Sequence, residues 1–210
     1  CAEGWIEVPE HWVPRIVTCQ GWSHGSDFHL AIRPSPNLPS TTSIDLYPSL
    51  CLFEPTVVSV GRGTPHPFES IGHPSLGLGT FAFTPVSTPG AAPHPKHENA
   101  NCVGQHLGEL AAKWRTESSA AHGQPRPSFT LEPLETWARQ WMAQQGSLDG
   151  FITSPSFFDK LAGTDALRLA LEAGTPLTAL EATWANQHAA FFEAAQPHLL
   201  YPWDAPLPGR

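Results

Sequence analysis

The sequence predicts an α+β fold: a small mixed sheet with strands mainly in residues 5–85, then helices mainly in residues 103–196. Three observations carry that reading. Before residue 85 the apolar runs are short, rich in β-branched residues and cut by Pro or Gly, as in Trp5-Ile6-Glu7-Val8 ahead of Pro9. After residue 103 apolar residues recur at three- and four-residue spacing, as in Leu107, Leu110, Ala111 and Trp114. The 23 prolines and 17 glycines are interleaved with aromatic residues rather than gathered into one block, which predicts an ordered, loop-rich domain.

In chain order, Trp5 to Val8 and Ile16-Val17-Thr18-Cys19 read as strands, with Trp22, Phe28 and Ile32 packed on them. Pro34-Ser35-Pro36-Asn37-Leu38-Pro39 is expected to be an extended loop presenting the Ser35 and Asn37 side chains, because proline lacks a donor and forces extended neighbours. Ser40 or Thr41 can cap a short helix that should stop near Tyr47, ahead of Pro48. Leu46 to Ile71 then reads as strand, turn, strand and loop: Cys51-Leu52-Phe53-Glu54, a valine-rich return, and Gly61-Arg62-Gly63-Thr64. Phe68 and Ile71 are expected anchors of a loop between Gly61 and Gly79. Thr80-Phe81-Ala82-Phe83-Thr84 alternates with period two and predicts a strand ended by Pro85.

Ser87 to Asn101, polar and rich in Pro and His, is expected to be a mobile loop. Cys102 to Ser118 carries a helical pattern, Ser119 to Pro127 is linker-like, and Phe129-Thr130-Leu131 suggests a strand. Leu134, Trp137, Ala138 and Trp141 mark an amphipathic helix ending by Gly146. Phe157, Phe158 and Leu161 lead to Thr164, a cap for a helix over Asp165 to Ala173, with Gly174 as its stop. The longest helix follows Thr175-Pro176, with Thr178 and Glu181 as a capping-box alternative and Leu177, Leu180, Trp184, Phe191 and Phe192 on its apolar face.

A chain of 210 residues buries about 70% of its unfolded surface and can hold a full core without staples. The net charge of -8, with 11 scattered Lys and Arg, argues against nucleic acid as a partner. No window approaches the roughly 18 apolar residues of a membrane span. Cys1, Cys19, Cys51 and Cys102 are too dispersed for a disulfide framework and contain no C-x-x-C pair. A chain that begins at Cys rather than Met is expected to have been cut.

Two charged groups stand out. Glu54 follows a short apolar run, where desolvation can raise a carboxylate's pKa into the range of a general acid. Arg62, between two glycines, sits on backbone free to turn tightly, and its planar fork suits a carboxylate or phosphate. An internal Glu54–Arg62 ion pair is the competing reading. Gly61 to Thr64 is not a P-loop, since the Lys and the following helix are missing. His94, His97 and Cys102 could suggest a metal, but their spacing matches no closed zinc site and a solvated loop is preferred, so no metal and no cofactor are predicted. No G-x-S-x-G elbow supports a serine triad. Trp137, Trp141 and Trp184 read as core, whereas Trp5, Trp22 or Trp203 could stack on a ligand.

A series of motifs then resembles one bacterial family, the exo-β-N-acetylmuramidases, which remove N-acetylmuramic acid from the non-reducing end of peptidoglycan fragments. The matching text is Pro34 to Pro39, Leu46-Tyr47-Pro48, Cys51 to Glu54, Ser59 to Thr64, Pro67-Phe68-Glu69 with Ile71-Gly72, Phe83-Thr84-Pro85, Cys102 with Gly104, Phe158 to Asp165 and Leu199-Leu200-Tyr201. The resemblance implies a two-part enzyme: a Rossmann-like N-terminal domain, then a smaller mixed α and β domain, with the substrate cleft between them. This chain is similar to the second part, with residues 1–16 as lead-in, 17–203 as the domain and 204–210 as tail. The family's proposed catalytic glutamate belongs to the first part, so no residue inherits that role by motif.

For the cleft wall the resemblance offers Glu54 as a candidate catalytic carboxylate and Arg62, Ser35, Asn37 and Thr64 as candidates for substrate binding. The implied partners are a muramic-acid-containing glycan and the Rossmann-like domain, in cis or as another chain. The implied location is periplasmic or secreted. Where the family usually reads Glu-Gly-Thr-Asn, this chain has Glu54-Pro55-Thr56-Val57, a departure beside the proposed site. The rival reading is a non-catalytic module that binds glycan or completes a partner chain.

Overall fold

A computed structural model describes residues 6–9, 11–13, 15–21, 30–120 and 129–201, with the side chains of 117–120 excepted. Trp5, Trp22, Phe28 and Trp203, and most of the linker-like stretch after Ala120, lie outside the described residues. The fold is α+β, with helices α1 (Thr41–Leu50), α2 (Gly108–Ala120), α3 (Glu132–Gln145), α4 (Pro155–Ala162), α5 (Ala166–Glu172) and α6 (Leu177–Ala195). Strands β1 (Ser70–His73), β2 (Phe81–Phe83) and β3 (Cys102–His106) form one sheet in the order β1-β3-β2. Both pairings are antiparallel, so the sheet is not mixed.

Helix α1 starts where its cap says it should. The Ser40 hydroxyl accepts from the Ser43 N–H, and the Ser43 hydroxyl returns the favour at the Ser40 backbone, a reciprocal capping box. It does not stop at Tyr47, however; it runs through Pro48 to Leu50 and continues as a 3-10 turn over Cys51–Phe53. Proline at position 48 removes one helical donor, a cost of about 3 kcal/mol relative to alanine. Against it stands the burial of Leu46, Leu50, Leu52 and Phe53, all at 3% exposure or less, at roughly 1.5–3 kcal/mol each. Burial wins, and the predicted strand over Cys51–Phe53 is instead a tightened helical end.

The other strand expectations divide. Phe81–Phe83 is a strand as its alternation predicts. Residues 6–8 and 16–19 are not in strands, and Phe129 to Leu131 is irregular chain leading into α3. The third strand lies at 102–106, beyond the predicted strand region, and only the remainder of the predicted Cys102–Ser118 helix is helical. β1 and β3 share a steric reason for their glycines: Gly72 lies opposite Gly104, and a Cβ on Gly104 would sit 1.9 Å from the Ile71 carbonyl oxygen. The valine return is reduced to one bridge, Ser59 to Gly72, with N–H to O distances of 2.8 and 3.0 Å. That bridge hangs the 58–64 segment on the edge of β1.

The core gathers Trp137, Phe53, Phe151, Phe158, Leu46 and Ile71, each 1% exposed or less. Trp137 is therefore core, and its indole N–H donates to Gln105 Oε1 at 3.1 Å, tying α3 to β3. Helix α3 ends at Gly146, whose φ of 81° suits the left-handed stop. On α6 only Leu177 is buried; Leu180 and Trp184 are partly covered, and Phe191 and Phe192 are exposed, which corrects the predicted apolar face. The Thr178–Glu181 box does not form at the start of α6; its first N–H, of Leu177, donates instead to Glu135 Oε2 at 3.3 Å. Among the described residues no helix is long and apolar enough to cross a membrane.

Candidate functional site

The site is built where the end of the α1 helix, the Gly61–Thr64 turn and the 86–99 loop converge. Gly61 and Gly63 have φ of 73° and 81°, and a Cβ on either would meet a backbone oxygen, of His66 or of Val86, at 2.5 Å. Only glycine fits both positions, because both the torsion and the space exclude a side chain. The turn between them closes through the Thr64 N–H to the Gly61 carbonyl at 3.1 Å, reinforced by the Thr64 hydroxyl at 2.6 Å. Arg62 is thereby pushed outward on a stiff support, and Thr64 is engaged within the turn.

Glu54 sits just past the 3-10 turn, its N–H donating to the Cys51 carbonyl. Its carboxylate faces Arg62, with Nη1 to Oε2 at 3.5 Å and side-chain exposures of 40% for Arg62 and 21% for Glu54. Burial raises the Glu54 pKa above the ordinary value, against the opposing pull of Arg62 and Lys96. Glu54 and Arg62 stand on the wall of a cleft of about 380 Å³, with Ser59 and Val60 beside them and Ala92 through Lys96 opposite. Tyr47 packs its ring on Phe68 with centroids 5.0 Å apart, and its hydroxyl pKa is raised by burial and then by Glu54.

Ser35 and Asn37 do not line this cleft. Residues 35–38 form a tight turn rather than an extended loop, closed by the Leu38 N–H to the Ser35 carbonyl at 3.0 Å. The Ser35 hydroxyl accepts from the Asn37 N–H, and Asn37 Nδ2 donates to the Ala91 carbonyl at 2.7 Å. Arg62 Nη2 donates to the same carbonyl at 3.3 Å. Asn37 thus reaches the site through a shared acceptor, and Ser35 shapes the turn that holds Asn37.

The 86–99 segment is not the mobile loop its composition suggests. Lys96 extends beneath the site and donates to four backbone carbonyls, of Phe53 at 3.3 Å, Glu54 at 3.2 Å, Val58 at 3.0 Å, and Thr56. His97 Nε2 donates to the Val57 carbonyl at 2.6 Å. Lys96 was not singled out from sequence, yet it is the one Lys or Arg between Arg62 and Lys113, on a segment stiffened by Pro93 and Pro95. A half-buried lysine bonded to carbonyls leaves no motif, since its acceptors depend on how a distant turn folds.

Of His94, His97 and Cys102, the last two are held apart, His97 on the Val57 carbonyl and Cys102 in the interior. Cys102 is buried, and burial pushes its thiol up to about 11, away from the thiolate that metals need. Among the described residues His66, Glu69 and His106 bring ligand atoms within 4.8 Å of one another. The Gly108 N–H donates to His106 Nδ1 at 3.2 Å, so the proton of the neutral ring resides on Nε2, which faces Glu69 at 3.6 Å. Metal-bound histidines show the reverse, donating from the second nitrogen. Glu69 also accepts from the Ser40 hydroxyl, which makes this cluster a brace between β1, β3 and the start of α1.

Residues 45–201 match the family described as exo-beta-N-acetylmuramidase NamZ, C-terminal. The chain is 27% identical to the peptidoglycan beta-N-acetylmuramidase NamZ of Bacillus subtilis (strain 168), an alignment covering 89% of this chain and 45% of that protein. Among solved structures it is similar to a DUF1343 family protein from Bacteroides fragilis, with a TM-score of 0.72 and 35% identity, covering 87% of this chain and 47% of the other. The chain therefore spans about half the length of the relatives it matches. Glu54, Arg62 and Thr64 fall inside the family match, and Ser35 and Asn37 precede it.

Proposed function

Because this chain belongs to the exo-β-N-acetylmuramidase NamZ C-terminal family, we propose that it supplies one wall of the cleft in which such an enzyme releases N-acetylmuramic acid from peptidoglycan fragments. The observation that carries the reading is Arg62, held outward by two obligatory glycines on the lip of the cleft and balanced against a half-buried Glu54. Muramic acid differs from N-acetylglucosamine by a lactyl carboxylate, and a guanidinium fork is the side chain best shaped to read it. Two contacts, to Glu54 and to Ala91, occupy only part of a five-donor group. Glu54 then has two tasks: it keeps Arg62 oriented in the empty cleft, and it accepts sugar hydroxyls once the ligand carboxylate takes over part of the guanidinium. A periplasmic or secreted location follows from that substrate.

The test uses the full-length protein and a chromogenic N-acetylmuramic acid glycoside beside its N-acetylglucosamine counterpart. Arg62→Ala is expected to lower kcat/KM for the muramic substrate by about 100-fold and for the glucosamine substrate far less, since only the first loses a charge partner. Arg62→Lys is expected to recover little, because a point charge does not replace a planar fork. Equal losses on both substrates, or none, would remove Arg62 from recognition.

One observation favours a second reading. Glu54 is the single carboxylate lining the cleft among the described residues, whereas glycosidases ordinarily use a pair. On that reading the chain binds glycan without turning it over. The change to Pro55 and Val57 beside Glu54 is compatible with it, and binding without hydrolysis by the full-length protein would establish it.

A further inference from the structure

We propose that the Lys96 ammonium is an internal cation that holds the Phe53–Val58 turn in place and so sets where Glu54 meets the cleft; Lys96 is a positioning residue. The argument begins with the helix end. The carbonyls that close the α1 and Cys51–Phe53 run lack helical partners and carry the negative end of the helix dipole. Glu54 supplies one of them, and it is joined as the chain doubles back by Thr56, Val58 and the Phe53 carbonyl, which also accepts the Thr56 N–H at 3.0 Å and the Thr56 hydroxyl at 2.8 Å. Four oxygens converging on one point make a cage of the kind that takes a small monovalent cation. Here a tethered ammonium fills it, its three N–H groups shared among the four carbonyls, that of Thr56 and those of Phe53, Glu54 and Val58 at 3.0 to 3.3 Å.

Two further features show the delivery. His97, next in the chain, holds the left-handed region at φ 59°, a costly conformation for a residue with a side chain, and its ring is bonded to the Val57 carbonyl at 2.6 Å. The opposite face of the turn is pinned independently, by the Val57 N–H to the Phe151 carbonyl at 2.9 Å and the Thr153 N–H to the Pro55 carbonyl at 2.8 Å. Glu54 therefore sits on a loop clamped from both sides, and Lys96 is the clamp nearest the cleft. Burial pulls the Lys96 pKa down to about 8 while Glu54 pulls it up, so at neutral pH the group remains a cation that also opposes protonation of Glu54.

The inference rests on the proposed role of Glu54 for its catalytic consequence, but not for its structural one, and the test separates them. In the wild-type full-length protein, reductive methylation read by peptide mass spectrometry across a pH series is expected to modify Lys96 at least about tenfold more slowly than the exposed Lys113 and Lys160 once each rate is divided by that lysine's neutral-amine fraction, since only the neutral amine reacts. In Lys96→Met, kcat/KM on the muramic glycoside is expected to fall by about tenfold or more, mainly in kcat, with the acid limb of the pH profile moved upward. In Lys96→Ala, which vacates the lysine stem as well as its head, methylammonium or potassium is expected to restore most of the thermal midpoint and the rate, and tetramethylammonium at equal ionic strength is not. A rate for Lys96 equal to that of Lys160 per neutral amine would overturn the proposal, and that measurement needs no variant to fold. So would a Met variant with wild-type midpoint and rate, or rescue by tetramethylammonium equal to that by methylammonium. A wild-type protein silent toward muramic glycosides, with Lys96 protected, would sink the proposed function and leave the cation cage standing.

Discussion

Gly63 shows how much one missing Cβ decides. At φ 81° an alanine is strained, and its methyl would press on the Val86 carbonyl at 2.5 Å, the acceptor side of a segment that itself bonds back to the turn. Gly63→Ala is expected to cost about 2–3 kcal/mol in urea denaturation and to tilt Arg62 away from Glu54. A cost under about 0.5 kcal/mol would mean the turn tolerates a side chain. His73 gives the matching electrostatic case. Its ring lies 4.8 Å from that of His97, and desolvation first, then His97 and Lys96, lower its pKa to about 4. The unfolded ring titrates near 6.5, so below that pH the unfolded chain takes up a proton the folded one refuses, and stability falls as pH drops from 6.5 to 4. After discounting for solvent screening at a partly exposed ring, the expected loss is on the order of 1–2 kcal/mol, read as the difference between wild-type and His73→Gln denaturation curves. The glycines flanking Arg62 were legible in the sequence because their torsional freedom is a local property. Lys96 and His73 were not, because their state depends on carbonyls and rings brought in from elsewhere.

Helix α1 marks the boundary between local and tertiary control. Its start was legible from Ser40, since a capping hydroxyl acts within three residues. Its end was not: the rule that a helix stops before proline lost to the burial of Leu46 and Leu50. Pro48 is itself exposed and makes α1 carry a missing hydrogen bond at the Ile44 carbonyl. Pro48→Ala is therefore expected to stabilise the protein by about 1–2 kcal/mol, the restored helical bond outweighing the added entropy of the unfolded chain. A stability loss on equilibrium denaturation would show that the proline bend is needed to aim the Cys51–Phe53 turn at Lys96. The same division explains the sheet. β2 announces itself by alternation, while β1 and β3 contain glycine and pair because Gly72 and Gly104 let two distant backbones meet.

At the scale of the molecule, charge and coverage bear on the same question. The chain carries a net charge of -8, yet the cleft presents Arg62 and Lys96 against one carboxylate, a local positive field set in an acidic surface. Such a field suits the anionic sugar of the proposed function and not polyanions in general, which agrees with the scattered basic residues. Hydrolysis asks for more than attraction, because protonating a leaving oxygen and stabilising the sugar cation ordinarily take two carboxyl groups across the bond. Under the proposed function Glu54 is a candidate for one of them, and no second carboxylate lines the cleft among the described residues, while the relatives extend over about twice the matched length. The proposed division of labour has a measurable consequence. The 210-residue chain alone is expected to bind N-acetylmuramic acid with Arg62-dependent affinity in calorimetry, yet to turn over a muramic glycoside at least about 1000-fold more slowly than the full-length protein, the scale of losing an acid catalyst. Equal rates would place the whole chemistry on this chain and make Glu54 the sole carboxyl group involved. Absence of binding would mean that Arg62 reads the lactyl group only when the remainder of the enzyme closes over it.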